Sequence, residues 1–418
     1  MLEFQGLNGD NSSMGYTKNA VSGFSWNGIV TIATAAVTAL KLVFVARLLD
    51  QRDFGLFAFV SIALGLTDSI TQTGINITII QAKESIKYFV NTAWVIAIIR
   101  GLIIGLLMIA LGVGMANFYD ENSLTILVAI AAFVPIIKGF INPSIITLQK
   151  ELRFFRDSVY KFSLVVVEAS LAVLLAWQLQ SVYALIFSII SAAIFEVIIS
   201  FVFFKVKPIF EYIPNRAQQI FKETKGLSLS AALSYLSENI DELILGRTLG
   251  TNVLGIYHTG YSLSHRPTLG IAQSLSASTF PVFSKINSDI PRLRTAFIKS
   301  TLALSGILII ALIPLIFFAE PVVRIILGEK WLSVIPVLPW LAVAGATQAL
   351  TITCYNLLIN LRQYKTMNWH RVISILIFVP ILYWASIQYG LLGAGIAWVI
   401  TRVLGLPVAM YMVIRKLR

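Results

Sequence analysis

Ser230, Ser234, Ser237, Glu238 and Asp241 fall on one stripe of a helix at about 100° per residue, with Glu242 at its edge. The residues around them are apolar. A carboxylate in such surroundings can neutralise itself by taking a proton or by binding a sodium ion. Glu238 and Asp241 are therefore candidate seats for a coupling cation, H+ or Na+. Asp68, on a similar stripe earlier in the chain, is the alternative seat. The plainer reading is that these acids hydrogen-bond one helix to another.

Cations recur in the same kind of setting. Arg100, Lys138 and Arg266 lie deep in apolar runs, too far from either end to snorkel easily. A guanidinium or ammonium held in a cavity suits phosphate or carboxylate groups. His265 stands beside Arg266 on a face that also carries His258, Ser262, Gln273 and Ser276. These four residues, Arg266, Arg100, Lys138 and His265, are the candidate substrate contacts. The competing reading pairs the cations internally with Asp68, Glu168 or Glu196, and makes the histidines interhelical hydrogen-bonding residues. Lys41 lies near a helix end and is expected to snorkel, and Arg402 is ambiguous for the same reason.

The elements that must position these groups follow from composition. Of 418 residues, 57% are hydrophobic and only 12% charged, with a mean hydropathy of +0.82. A soluble domain could not hide that much apolar surface, so the chain is read as an integral membrane protein. No sustained period-2 pattern exists, so the spans are helices rather than barrel strands. About twelve runs of roughly 20 residues are long enough to cross the hydrocarbon layer. One cysteine excludes an intramolecular disulfide, and three histidines argue against a histidine metal site. The net charge of +12 sits between apolar runs, where it sets orientation rather than marking a nucleic-acid partner. Residues 1–13 resemble leader sequence, with Met14 a plausible start.

The connectors alternate in charge. One set, from Lys18 through Lys83, Lys150, Lys205, Arg216, Arg292 and Arg362 to Arg415 and Arg418, holds nearly all the loop cations. The other set holds only Arg47, Arg52, Arg247, Arg324 and Lys330. The positive-inside rule then places both termini in the cytoplasm. A phrase also repeats. RLLDQRDFGLF at 47–57 returns as RTLGTNVLGIY at 247–257, with Arg47, Leu49 and Gly55 matched by Arg247, Leu249 and Gly255. The expected organisation is a leader and N-terminus over 1–22 and an N-terminal lobe over 23–204. A linker over 205–225 and a C-terminal lobe over 226–418 complete it, with about six helices per lobe. The polar openings of the lobes would line a central cavity: Asn27, Thr31, Thr34, Thr38 and Lys41, then Ser61, Gly65, Asp68, Gln72 and Asn76, facing the 230–276 residues above. Gly101-x-x-x-Gly105 and the run Gly390, Gly393, Gly395 are read as small-residue packing faces.

The segment ARLLDQRDFGLFAFVSIALGLTDSITQTGINITIIQ (46–81) resembles the opening of Wzx-type polysaccharide flippases. NIDELILGRTLGTNVLGIYHTGYSLSHRP (239–267) is similar to that family's seventh-to-eighth helix segment, with Asp241, Gly246–Arg247, Gly250 and Gly255–Tyr257 at the motif positions. LQKELRFFRD (148–157) resembles the basic element after its fourth helix. The resemblance implies the multidrug/oligosaccharidyl-lipid/polysaccharide exporter fold, two six-helix lobes around a cationic cavity, in a bacterial plasma membrane. It implies a substrate too: polyprenyl-pyrophosphate-linked oligosaccharide moved to the outer leaflet for surface polysaccharide synthesis. A polysaccharide polymerase is a candidate partner on the same ground.

The short loops leave no room for a soluble catalytic domain, so the chain is expected not to be an enzyme. No P-loop is present, so ATP is not expected to bind. The alternative function is a cation-coupled small-molecule or multidrug exporter of the same fold.

Overall fold

The computed structural model describes residues 30–70, 79, 86–151 and 153–417. The 1–22 segment, Asn27, Gln72, Asn76, Lys83 and Arg418 lie outside these, as do the side chains of Lys222, Lys225, Ser230 and Ser234. Every regular element among the described residues is helical. The first half holds α1 (Val30–Leu48), α2 (Gln51–Ile70), α3 (Ile86–Tyr119), α4 (Ser123–Gly139), α5 (Phe154–Leu179) and α6 (Tyr183–Phe203). A 70° bend separates α4 from a shorter piece, Pro143–Lys150. Asn142 satisfies the break: its side chain accepts from Ser144 N at 3.0 Å and donates to Val206 O at 2.8 Å.

The chain is non-helical from 204 to 213, and helix resumes at Pro214. Proline suits that first turn because its missing N–H would have no partner there. Pro214–Lys285 is then hydrogen-bonded as one helix of 72 residues. It is nevertheless a hairpin. Tyr257 OH reaches Asp241 from sixteen residues away, whereas a straight helix would separate them by about 24 Å. Gly250, at φ 81° and ψ 175°, makes the turn in a region that only glycine adopts freely. The limbs are α7 (214–249) and α8 (251–285). Next come α9 (Ile290–Phe317), a short amphipathic helix Ala319–Ile326, and α10 (Leu338–Asn360). Tyr364–Lys416 is a second hairpin, turned by Gly390 at φ 59°. Its limbs are α11 (364–389) and α12 (391–416). His370 Nε2 there meets Gly405 O at 2.9 Å across a separation of 35 residues.

Seven helices are long and apolar enough to cross a membrane among the described residues, or eight if the bent α4 pair is one span. Their outer faces carry large apolar side chains, such as Leu106 at 68% exposure and Val202 at 73%. Such surface is stable only in a nonaqueous surrounding. The Gly101 and Gly105 face packs as expected: a Cβ on Gly101 would meet Pro135 O at 2.5 Å, and one on Gly105 would meet Ile136 at 2.7 Å. The Gly390 run divides its labour. Gly393 and Gly395 make close contacts with Ala385 and Trp340, but Gly390 turns the hairpin with nothing beside it.

Candidate functional site

The broadest contact among the described helices is α2 against the α7–α8 hairpin. The repeated phrase builds it. A Cβ on Gly55 would overlap Thr251 O, and a Cβ on Gly255 would overlap Gln51 O. Gln51 and Thr251 are themselves matched by the repeat, as are Gly55 and Gly255. The contact is therefore reciprocal, the mark of a two-fold-related pair of surfaces. It also places Arg47 and Arg247 at the same end of the bundle.

The side chains around this contact repeat the exchange. Arg47 donates to Ile325 O in the second half, and Arg247 pairs with Asp120 in the first at 2.8 Å. Gln51 donates to Lys330 O at 2.6 Å, while Thr251 donates to Glu121 at 3.2 Å. Trp331, fully buried, donates from Nε1 to Ala46 O at 2.7 Å and meets the Phe54 ring edge-on at 5.0 Å. This end of the bundle is closed by one continuous apolar cluster drawn from both halves. Glu121 lies in the turn after α3. Burial pushes its carboxyl up, but hydrogen bonds from Ser123 and Arg52, the Arg52 charge and the Thr251 bond outweigh that, so it is held below the usual carboxylate range.

Deeper along α2, the Tyr235 ring lies against Gly65 and its hydroxyl donates to Ser61 O at 3.1 Å. The candidate cations distribute around this level. Arg100 pairs with Asp68, joining a proposed substrate contact to a proposed ion seat. Lys138 is not deep in its run as expected: it lies exposed in the last turn of α4, where the chain bends, and stands 4.0 Å from Glu196. Lys41 pairs with Glu168 at 3.0 Å and is half-buried, so it does not snorkel. Arg266 is exposed and has no ion pair within 4.0 Å among the described residues. It lies close enough to Tyr235 and Glu242 for its charge to act on both.

The acidic stripe splits between two surroundings. Asp241 is buried and accepts hydrogen bonds from Tyr257 OH and, at 3.2 Å, from Trp398 Nε1. Its Oδ1 has no partner among the described residues. Glu242, next to it, takes a bond from His258 Nδ1 at 2.8 Å, both side chains buried. Ser237 and Glu238 instead line a cavity of about 110 Å³ between α7, α10, α11 and α12. His265 is fully buried: its ring stacks on Tyr261 at 4.3 Å and its Nε2 meets Gln348 Oε1 at 2.9 Å. It therefore supports Gln348 and Trp398, which line the cavity, rather than facing the cavity itself.

The sequence reading missed the other walls of this cavity. Gln348, Thr351 and Tyr355 sit at i, i+3 and i+7 on α10, and Arg371 and Ser374 at i and i+3 on α11. That helical periodicity of polar groups was the available signal.

A family model described as polysaccharide biosynthesis protein matches residues 44–336. The chain belongs to that family. The match covers both segments that resemble Wzx-type flippases, so the resemblance read from 46–81 and 239–267 holds. A membrane protein in the cps region of Klebsiella pneumoniae is 27% identical over 391 residues, 90% of this chain and 78% of that protein. Lipopolysaccharide biosynthesis protein WzxC of Escherichia coli (strain K12) is 23% identical over 407 residues, 96% of this chain and 82% of its own length. Among solved structures, lipid II flippase MurJ matches with a TM-score of 0.72 at 13% identity, covering 93% of this chain and 87% of that one. An inward-facing multidrug resistance MATE family transporter of the MOP superfamily matches with a TM-score of 0.64 at 15% identity, covering 92% and 98%. These likenesses establish the fold: an all-α, multi-pass membrane protein with the architecture of those two structures.

Proposed function

We propose that the protein is a flippase. It moves polyprenyl-pyrophosphate-linked oligosaccharide repeat units from the cytoplasmic to the outer leaflet of a bacterial plasma membrane. A pyrophosphate-sugar headgroup cannot cross about 30 Å of hydrocarbon without replacement of its hydration. The observation that carries the reading is Arg266, an exposed cation on the membrane-length limb α8 with no ion pair among the described residues. In a chain of this family it is the readiest donor for phosphate oxygens. Arg100 and Lys138 are the second contacts, and each would exchange its carboxylate, Asp68 or Glu196, for phosphate as the headgroup passes. The reading includes about twelve crossings, because each hairpin limb and α2 then counts as a span. Both termini are cytoplasmic.

Directional movement needs a second ligand bound differently in the inward- and outward-open states. Asp241 is the seat assigned to that cation. It is the buried acid of the α7–α8 hairpin without a cationic partner, since Glu242 has His258. Glu238 and Asp68 are secondary seats.

The test is flipping of a lipid-linked oligosaccharide in liposomes by the purified protein. Loss of a charge-assisted phosphate bond of about 1.5–3 kcal/mol predicts that Arg266→Ala slows flipping roughly ten- to hundredfold at unchanged protein abundance. A wild-type rate in that variant would remove Arg266 from the pathway. Imposed proton and sodium gradients extend the same assay. Wild type should respond to one of them and Asp241→Asn to neither; indifference of the wild type to both would end the cation assignment.

A further inference from the structure

The cavity between α7, α10, α11 and α12 lies wholly in the second half of the chain, away from the Gly55–Gly255 contact. Its walls carry two guanidiniums, Arg371 and Arg402, against one carboxylate, Glu238. The Arg402 guanidinium sits 4.6 Å above the Trp398 ring. Arg402 Nε is buried with no hydrogen-bond partner, and the residue joins no ion pair within 4.0 Å among the described residues. Arg371 is already engaged: it lies 5.6 Å over the Tyr355 ring and bonds to the Tyr355 hydroxyl. Tyr355 is in turn fixed by His370 Nδ1 at 2.7 Å. Gln348 adds a second open donor, because its Oε1 is occupied by His265 Nε2 and its amide N–H groups are left for another acceptor.

Arg402 is half-buried, and its buried Nε–H is a donor that calls for an acceptor. We propose that this cavity is an oxyanion site, in which Arg402, assisted by Gln348, binds one carboxylate- or phosphate-sized group. Two guanidiniums against one carboxylate in the lining disfavour a cation there, the second carboxylate, Asp241, being held behind Trp398. At about 110 Å³ the cavity has room for one such group together with waters. The anion comes either from free solute or from an acidic substituent on a transported sugar. The site is separate from the headgroup contact at Arg266, and its existence does not depend on flipping.

Calorimetric titration of the purified full-length protein with sodium acetate, sodium phosphate, sodium glucuronate and uncharged glucose, at fixed ionic strength, tests it. Binding of at least one of the anions and none of glucose is expected. Arg402→Gln should weaken that binding about tenfold or more, the scale of one charge-assisted bond. Glu238→Gln removes the opposing carboxylate from an exposed position and should tighten it, by about three- to tenfold. A purely structural Arg402 would give no such tightening, so this variant decides the matter even if Arg402→Gln fails to fold. Glucuronate binding tighter than acetate identifies a sugar substituent as the source. Equal binding of the two identifies a free anion. No anion binding, or affinities untouched by both substitutions, overturns the site.

Discussion

Glu121 shows how one side chain can join the halves of the molecule. Its oxygens accept from Arg52 and Ser123 in the first half and from Thr251 in the second. Its folded carboxyl is held below the usual range, so its contribution to stability is complete above the unfolded value of about 4.3. That contribution is lost as pH falls through the depressed folded value. The thermal midpoint of the wild type should therefore fall on acidification from about pH 5 to pH 3, and Glu121→Gln should lack that part of the fall. Equal falls in both proteins would remove the carboxylate from the contact. Residue identity was partly legible in the sequence. Arg100 and Lys138 do pair with Asp68 and Glu196, two of the acids named for that purpose. Lys41 was not legible as a half-buried pair, because its partner Glu168 is 127 residues away and only packing brings α1 to α5. The same reason hid Arg402, whose setting depends on Trp398 and on where α11 returns.

Among the elements, the two hairpins rest on glycines that act differently from the glycines of the lobe contact. Gly250 and Gly390 have positive φ and open space around them. Gly250→Ala should cost about 1–3 kcal/mol through backbone strain alone, lowering the thermal midpoint without changing which groups touch. Gly55 is the reverse case: an ordinary helical residue with the Thr251 carbonyl where a methyl would go. Gly55→Ala should force the halves apart at that end, at a cost of about 1–3 kcal/mol. Cys354 is buried, so an impermeant thiol reagent can report on a single introduced site. A Leu48→Cys thiol should react faster with Gly55→Ala present than without it, and equal rates would mean that the contact adjusts locally. The helical runs were readable from hydropathy, and so was the small-residue face of α3. The turn at Gly390 was not, because glycine spacing alone looks the same in a packing face and in a reversal of direction.

For the whole molecule, the repeat was the most informative feature of the chain. It anticipated that Arg47 and Arg247 share one end, and they do. The loop charges add a sidedness that a labelling experiment can check. With both termini cytoplasmic, an impermeant thiol reagent added outside intact cells should label Asp120→Cys and Glu320→Cys but not Lys150→Cys or Lys365→Cys. The opposite pattern would invert the assigned orientation. The reciprocal glycine contact has a mechanical consequence. Backbone meets backbone at Gly55 and Gly255, which makes that point a natural fulcrum for the halves, with the Arg47, Gln51, Trp331 and Arg247 contacts as the ties that rotation there must accommodate. With that fulcrum at one end of a lever about 30 Å long, each 10° of rotation separates the far ends by about 5 Å. A modest rocking of two stiff bodies would then open a gap at the far end on the scale that the proposed headgroup passage needs, and exit on the other side would require release of the fulcrum itself.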